Sequence, residues 1–114
     1  GERSVVLSGN QVTLRWRTVN ESDLLGFQLY RQTAAGVQRL NDELLVAEQS
    51  GATQGASYVL VDRPPDPDAY ALYLLEVVDL NGNRERVPLG AIHALPLFVP
   101  FVQYFTQANQ RRVT

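Results

Sequence analysis

The most constraining feature of the sequence is the alternation of apolar and polar side chains across residues 11–18. Val12, Leu14 and Trp16 are apolar, whereas the residues between them are polar. A repeat of two residues places all three apolar side chains on one face of a β-strand. A helix would place Val12 and Trp16 together and leave Leu14 nearly opposite. The segment therefore predicts a strand with one buried face.

Other parts of the chain predict further short strands that are separated by turns. These strands cover residues 25–31, 37–40, 57–62, 69–79 and 84–94. Asn81 and Gly82 form a dipeptide that is typical of a hairpin, and residues 34–36 favour another turn. Short strands at intervals of about 10 residues, without alternating helices, predict an all-β antiparallel sandwich of about seven strands.

Three local expectations concern the segments between these strands. Residues 57–62 alternate apolar side chains on both sides, so we interpret them as a strand that is buried on both faces. Asn41 is expected to cap a single helical turn. Three prolines within residues 63–68 exclude the interior of a strand or helix, so this segment is predicted to be a stiff connection between sheets.

The composition excludes several classes of protein. A chain of 114 residues has room for one domain with a real core. The absence of Cys excludes disulfides, thiolate zinc sites and cysteine nucleophiles. A net charge of −2 without a long basic run predicts no binding to nucleic acid. Because the chain contains no Met, we expect Gly1 to follow processing or excision from a longer polypeptide.

The residues that bear catalytic chemistry are few and scattered. His93 is the one histidine, and no serine lies in the sequence context of a nucleophile elbow. Asp62, Asp66 and Asp68 surround the prolines, where they form either a solvated connection or a weak calcium site. Tyr30 lies on the polar face of its strand and is a candidate for a sugar-binding platform, with core or edge packing as the alternative. We predict no catalytic, cofactor or metal site and no enzymatic activity.

The segment 95–105 is the most apolar stretch in the sequence, and it follows the last predicted strand. Pro96 and Pro100 exclude a regular central strand but suit an extended edge segment. Three alternatives remain open: the segment covers its own sandwich, docks on another protein or another copy, or contacts a membrane surface. A helix from Phe98 or Phe101 onward is an alternative for its conformation.

We therefore divide the chain into a sandwich, residues 1–94, and an apolar and then polar extension, residues 95–114. The extension is predicted to be a docking or assembly segment. Its candidate partner-binding residues are Leu97, Phe98, Val99, Phe101, Val102, Tyr104 and Phe105.

Three segments together resemble a fibronectin type III-like domain, an Ig-like sandwich. Residues 12–16 resemble the B strand with its buried Trp, residues 26–31 the C strand, and residues 73–82 the F strand and its exit turn. The family's corner tyrosine would fall at Ala71, between Tyr70 and Tyr73. The resemblance therefore implies either a corner made by a neighbouring tyrosine in a shifted register or no corner.

The spacing also resembles bacterial members of this family that are C-terminal modules of secreted and surface proteins. The resemblance implies a non-catalytic structural and protein-interaction module, located outside the cell or at its surface. The expected partner is a protein, either further copies of the chain or a larger complex, bound through residues 95–105. The alternative implied is a carbohydrate-binding or spacer module of a secreted enzyme.

Overall fold

The computed structural model describes residues 2–93. This part of the chain contains eight antiparallel strands joined by loops. The strands are β1 (Arg3–Ser8), β2 (Gln11–Arg17), β3 (Leu24–Thr33), β4 (Gly36–Arg39), β5 (Leu45–Val46), β6 (Ser57–Asp62), β7 (Ala71–Asp79) and β8 (Arg84–Ile92). No helix occurs in this range, so none of its elements is a helix long and apolar enough to cross a bilayer.

The strands form two sheets that pack face to face. The smaller sheet has the order β1-β2-β6, and the larger sheet has the order β4-β3-β7-β8, with β5 paired to β3. The chain crosses from the smaller to the larger sheet between β2 and β3, returns at β6 and crosses again at β7. The prediction of an all-β antiparallel sandwich is confirmed, and β1 is a strand that the sequence analysis leaves unassigned.

The core lies between the two sheets, where the alternating residues of β2 meet β3 and β7. Val12, Leu14 and Trp16 are at most 2% exposed. The Trp16 ring stacks on Tyr58 and meets the edge of Phe27, with ring centroids 5.5 Å apart in both contacts. Burying one large apolar side chain contributes about 1.5–3 kcal/mol, so this aromatic cluster is a principal source of stability.

Two local expectations about these segments are wrong. Val59 and Val61 of β6 are 53% and 43% exposed, because β6 is an edge strand whose outer face has no second layer over it. Asn41 caps no helix. Its side-chain oxygen accepts a hydrogen bond from the Leu29 amide at 2.7 Å, and its nitrogen donates to the Phe27 carbonyl at 3.1 Å. The amide of Asn41 thereby satisfies backbone groups of β3 beyond the end of β4.

The hairpin at Asn81-Gly82 is confirmed, with a loop of four residues between β7 and β8. Asp79 organises this loop, because its Oδ1 accepts the amide hydrogens of Asn81 and Asn83, each at 2.9 Å. Gly82 has a φ of 86°, a conformation that favours glycine. Strand β8 ends at Ile92, two residues earlier than predicted.

Gly26 is where β5 approaches the backbone of β3 most closely. A methyl group on its Cα would lie 2.5 Å from the carbonyl oxygen of Leu45 and 3.0 Å from the Leu44 side chain. The oxygen belongs to the backbone of the paired strand, so relieving this clash would require the two strands to separate.

We expect Gly26→Ala to lower the free energy of unfolding by about 1–3 kcal/mol, the usual range for overpacking. Urea denaturation followed by Trp16 fluorescence measures this change. Val46→Ala is the control on the facing strand, where the side chain is 62% exposed, and it is expected to change stability by about 0.5 kcal/mol or less. Equal stability of Gly26→Ala and the parent chain would refute the close approach.

Candidate functional site

Three of the twelve acidic side chains are buried, namely Glu21, Asp62 and Glu76. Buried carboxylates are the first candidates for acid–base chemistry, because burial and nearby charges shift their pKa values. The groups that surround each carboxylate decide between a chemical and a structural role.

Glu21 lies in the loop between β2 and β3 and is 1% exposed. Its carboxylate accepts hydrogen bonds from the Thr18 hydroxyl at 2.6 Å, the Tyr58 hydroxyl at 2.5 Å and the Gln49 amide at 2.7 Å. Its backbone carbonyl accepts a further bond from the Gly51 amide at 2.8 Å. One residue thereby joins the β2–β3 loop to residues 49–51 and to β6.

Opposing effects set the pKa of Glu21. Burial raises it, but the hydrogen bonds from Thr18, Tyr58 and the Gln49 amide outweigh burial and hold the pKa below the ordinary glutamate value. Burial, followed by the hydrogen bond to Glu21, raises the pKa of Tyr58 to about 12. Glu21 is therefore ionised and Tyr58 protonated near neutral pH.

Asp62 ends β6 and connects the two sheets. The Nη1 atom of Arg31 lies 2.8 Å and 2.7 Å from its two carboxylate oxygens, and the Tyr73 hydroxyl donates to it at 2.7 Å. The Arg31 and Asp62 side chains are only 12% and 10% exposed. Burial and the hydrogen bond to Asp62 raise the pKa of Tyr73. The smaller sheet thus supplies the carboxylate, and the larger sheet supplies both donors.

Glu76 lies on the outer face of the larger sheet, in the middle of β7. It accepts hydrogen bonds from the Tyr30 hydroxyl at 2.9 Å, Arg84 Nη1 at 3.0 Å and Arg86 Nε at 3.1 Å. Burial raises the pKa of Glu76, but the bonds from Tyr30, Arg86 and Arg84 hold it below the ordinary value. The Arg86 guanidinium also lies over the Tyr30 ring, 3.9 Å from its centroid.

These three arrangements do not suit a general acid. A general acid needs a carboxyl pKa raised toward neutrality, whereas Glu21 and Glu76 are held in the ionised form. Each of the three carboxylates accepts hydrogen bonds from at least two different residues, and no two of them share a donor. They therefore form three separate structural clusters.

The histidine and the aspartates singled out in the sequence do not converge. His93 is exposed, and its Nε2 lies 2.7 Å from the Pro67 carbonyl, to which it must donate. Asp62 is bound by Arg31, while Asp66 accepts the Asp68 amide at 3.2 Å within a turn. Residues 2–93 contain no group of three or more His, Cys, Asp or Glu side chains that could hold a metal ion.

The tyrosines have roles that the sequence left open. Of the two tyrosines beside Ala71, Tyr73 is fully buried, and its hydroxyl ties two strands together. The acceptor of this hydroxyl is the Asp62 side chain and not a backbone carbonyl. Tyr30 is 9% exposed and covered by Arg86, so the idea that it forms an exposed sugar platform is wrong. Tyr58 is 7% exposed and belongs to the core.

One apolar groove opens at the end of the sandwich where β7 begins. Its volume is about 610 Å³. The hairpin between β3 and β4, residues 33–38, forms one wall, and residues 64–66 and 69–71 form the other. Ala34, Ala35 and Val37 are exposed there. The predicted partner-binding residues 97–105 lie outside the described residues.

Comparisons with known proteins give a likeness of fold. No family model matches the chain, and no curated protein matches it in sequence. Two crystal structures of pectate lyase Pel3 from Pectobacterium carotovorum resemble it, with TM-scores of 0.58 and 0.59 and identities of 15% and 16%. The matches cover 83% and 84% of this chain but only 27% of each pectate lyase chain.

The sequence analysis missed the partners of these carboxylates, although two signals were present. Glu76 is a lone charge within the apolar run of β7, which indicates a paired charge. Arg31 lies near the end of β3, and Asp62 is the last residue of β6; both strands are otherwise apolar on one face. Glu21 lies in a polar loop and gives no such signal.

We expect Arg31→Met to lower the free energy of unfolding by about 3–5 kcal/mol, because it leaves the buried Asp62 carboxylate without its cation. The double change Arg31→Met with Asp62→Leu should cost less than the two single changes together, since no charge is then left buried. Arg17→Met is the control: its ion pair with Glu2 is 59% and 84% exposed and should contribute about 1 kcal/mol or less. Additive costs at Arg31 and Asp62 would contradict this account.

We expect Tyr58→Phe to lower the free energy of unfolding by about 1.5–3 kcal/mol at pH 7, the value of a hydrogen bond to a charged group. Because the folded pKa of Glu21 is depressed, its ionised form stabilises the fold above the unfolded value of about 4.3, and this contribution is lost as pH falls through the folded pKa. In Tyr58→Phe the folded pKa of Glu21 rises toward the unfolded value, so the loss of stability in acid is smaller and is complete at a higher pH.

Urea denaturation at a series of pH values from 7 to 3 measures both effects of Tyr58→Phe. Ser57→Ala removes a hydroxyl from the adjacent, exposed position and serves as the control. An acid-unfolding curve of Tyr58→Phe that runs parallel to that of Ser57→Ala would contradict the assignment.

Proposed function

We propose that this chain is a non-catalytic structural and protein-interaction module of an extracellular or cell-surface assembly, in which residues 95–105 are the contact element. The observation that carries the proposal is that each of the three buried carboxylates accepts hydrogen bonds from at least two other residues of the sandwich. Glu21, Asp62 and Glu76 are each committed to holding strands and loops together. The buried carboxylates of the described sandwich therefore make it rigid, and a spacer or scaffold requires a rigid body.

The arrangement of strands supports a fibronectin type III-like assignment within this proposal. A three-stranded sheet packs on a larger sheet whose β3 and β7 carry the segments that resemble the C and F strands. Trp16 is buried on β2, as the resemblance implies for the B strand. A fold of this kind does not by itself define a function, so we expect binding to involve its surface and its termini.

A second candidate is an accessory or spacer module of a secreted enzyme, including one that binds carbohydrate. The likeness of fold favours this candidate, because the matching part of each pectate lyase is only 27% of a larger enzyme chain. Tyr30 does not provide its sugar platform. The outward arginines Arg39, Arg84 and Arg86 on the larger sheet would be the surface for an acidic polysaccharide.

We expect a chain that ends at residue 94 to remain folded but to lose the association made by the full chain, because the apolar contact element is gone. Light scattering gives the solution mass of both forms, and far-ultraviolet circular dichroism checks the fold. The double change Phe98→Glu with Phe101→Glu in the full chain is a second way to disable the element. Association that survives in both forms would refute the proposed role of residues 95–105.

A further inference from the structure

We infer that the groove between the β3–β4 hairpin and residues 64–71 receives the Leu95–Phe105 segment of a second copy of this chain. The inference rests on the proposed role of that segment as the contact element, and it adds the surface and the partner. It would make the association of this module a reciprocal exchange of segments between two sandwiches.

The groove has the chemistry that an apolar extended segment requires. Ala34, Ala35 and Val37 line the hairpin wall, while Pro64 and Pro65 line the other. Val37 is 53% exposed, although its side chain is apolar and lies on a strand at the edge of the larger sheet. Pro64 is already buried, but covering the exposed Ala34, Ala35, Val37 and Pro65 removes apolar surface from water, which is the main driving force for association.

The described chain ends beside this groove. Ile92 pairs with Ala71, which lines the groove, and His93 donates to the carbonyl of Pro67, which lies between the lining residues 64–66 and 69–71. His93 has a φ of 56°, and it is the one non-glycine residue with positive φ among residues 2–93. Leu95 follows two residues later, so at most about 7 Å of chain separates it from His93.

The length of the segment favours a second copy over the same chain. Pro96 and Pro100 disfavour helical backbone at the residues before them. Eleven extended residues span up to about 36–40 Å. The hairpin wall is set by β4, whose four residues span only about 13 Å. The groove therefore covers only part of the segment in either copy. When the segment docks in its own groove, its remaining apolar side chains lie in water, whereas in an exchange they lie where the chain crosses between two sandwiches and both bodies can cover them.

The test compares two full-length variants that differ in the position of one added charge. Val37→Glu places a carboxylate in the groove, and Val59→Glu places one on the outer face of the smaller sheet. Both valines are 53% exposed, so both variants are expected to fold with similar stability. Ala34→Arg, at the exposed turn of the same hairpin, introduces a charge of the opposite sign into the groove wall.

Light scattering over a range of concentrations should show that the parent chain and Val59→Glu associate equally. Val37→Glu and Ala34→Arg should weaken self-association by about tenfold or more, since a charge must then be buried against apolar side chains. A parent chain that stays monomeric at every concentration would overturn the assignment of a second copy as the occupant.

A different result would separate the two proposals. If Phe98→Glu with Phe101→Glu abolishes association while Val37→Glu and Ala34→Arg leave it unchanged, the segment is the contact element but the groove does not receive it. If association survives both in the Phe98 and Phe101 double variant and in the chain that ends at residue 94, the proposed function itself fails. Loss of association in Val59→Glu to the same degree as in Val37→Glu would also overturn the assignment to the groove.

Discussion

The salt bridge between Arg31 and Asp62 is the interaction on which the arrangement of the two sheets most depends. Asp62 belongs to the smaller sheet, while Arg31 and Tyr73 belong to the larger one. Removing a carboxylate from water costs several kcal/mol, and the observed arrangement of the sheets returns three hydrogen bonds to Asp62 that offset this cost. Apolar packing around Trp16 drives the sheets together, and the hydrogen bonds of Arg31 and Tyr73 to Asp62 determine how the sheets are aligned.

The same constraint recurs at two other places and limits what the protein can do. Glu21 fixes the loop between β2 and β3 against residues 49–51, and Glu76 fixes the outer face of the larger sheet through Tyr30 and Arg86. A carboxylate that is held ionised by several donors is a poor general acid. Function is therefore expected at the surface, where the groove beside His93 and the outward arginines of the larger sheet offer two different kinds of contact.

Much of the fold follows from the sequence, because a strand with one buried face is recognised by its alternating apolar and polar side chains. Residues 11–17 were assigned correctly for this reason, as was the hairpin around Gly82. The register of that hairpin was not determined by the dipeptide. A two-residue turn at Asn81-Gly82 would place Glu76 opposite Val87, whereas the observed register, in which Val78 pairs with Arg84, places it opposite Arg86. A shift of one residue moves every side chain to the other face, so the Glu76 cluster depends on a register that the sequence does not specify.

The long-range clusters were beyond sequence reasoning for a related reason. Glu21 and Tyr58 are 37 residues apart, and Arg31 and Asp62 are 31 apart, so no local pattern connects them. The exposure of Val59 was also missed, because an edge strand with four apolar residues in succession resembles a strand that is buried on both faces.

The central claim is that the buried carboxylates are structural, and the most direct test is the titration of each carboxyl group by carbon-13 NMR. The account predicts that Glu21 and Glu76 titrate below the ordinary glutamate pKa of about 4.3 and remain ionised near neutral pH. A pKa of either residue near neutrality would contradict the account, because it would mark a carboxyl group poised for acid–base catalysis.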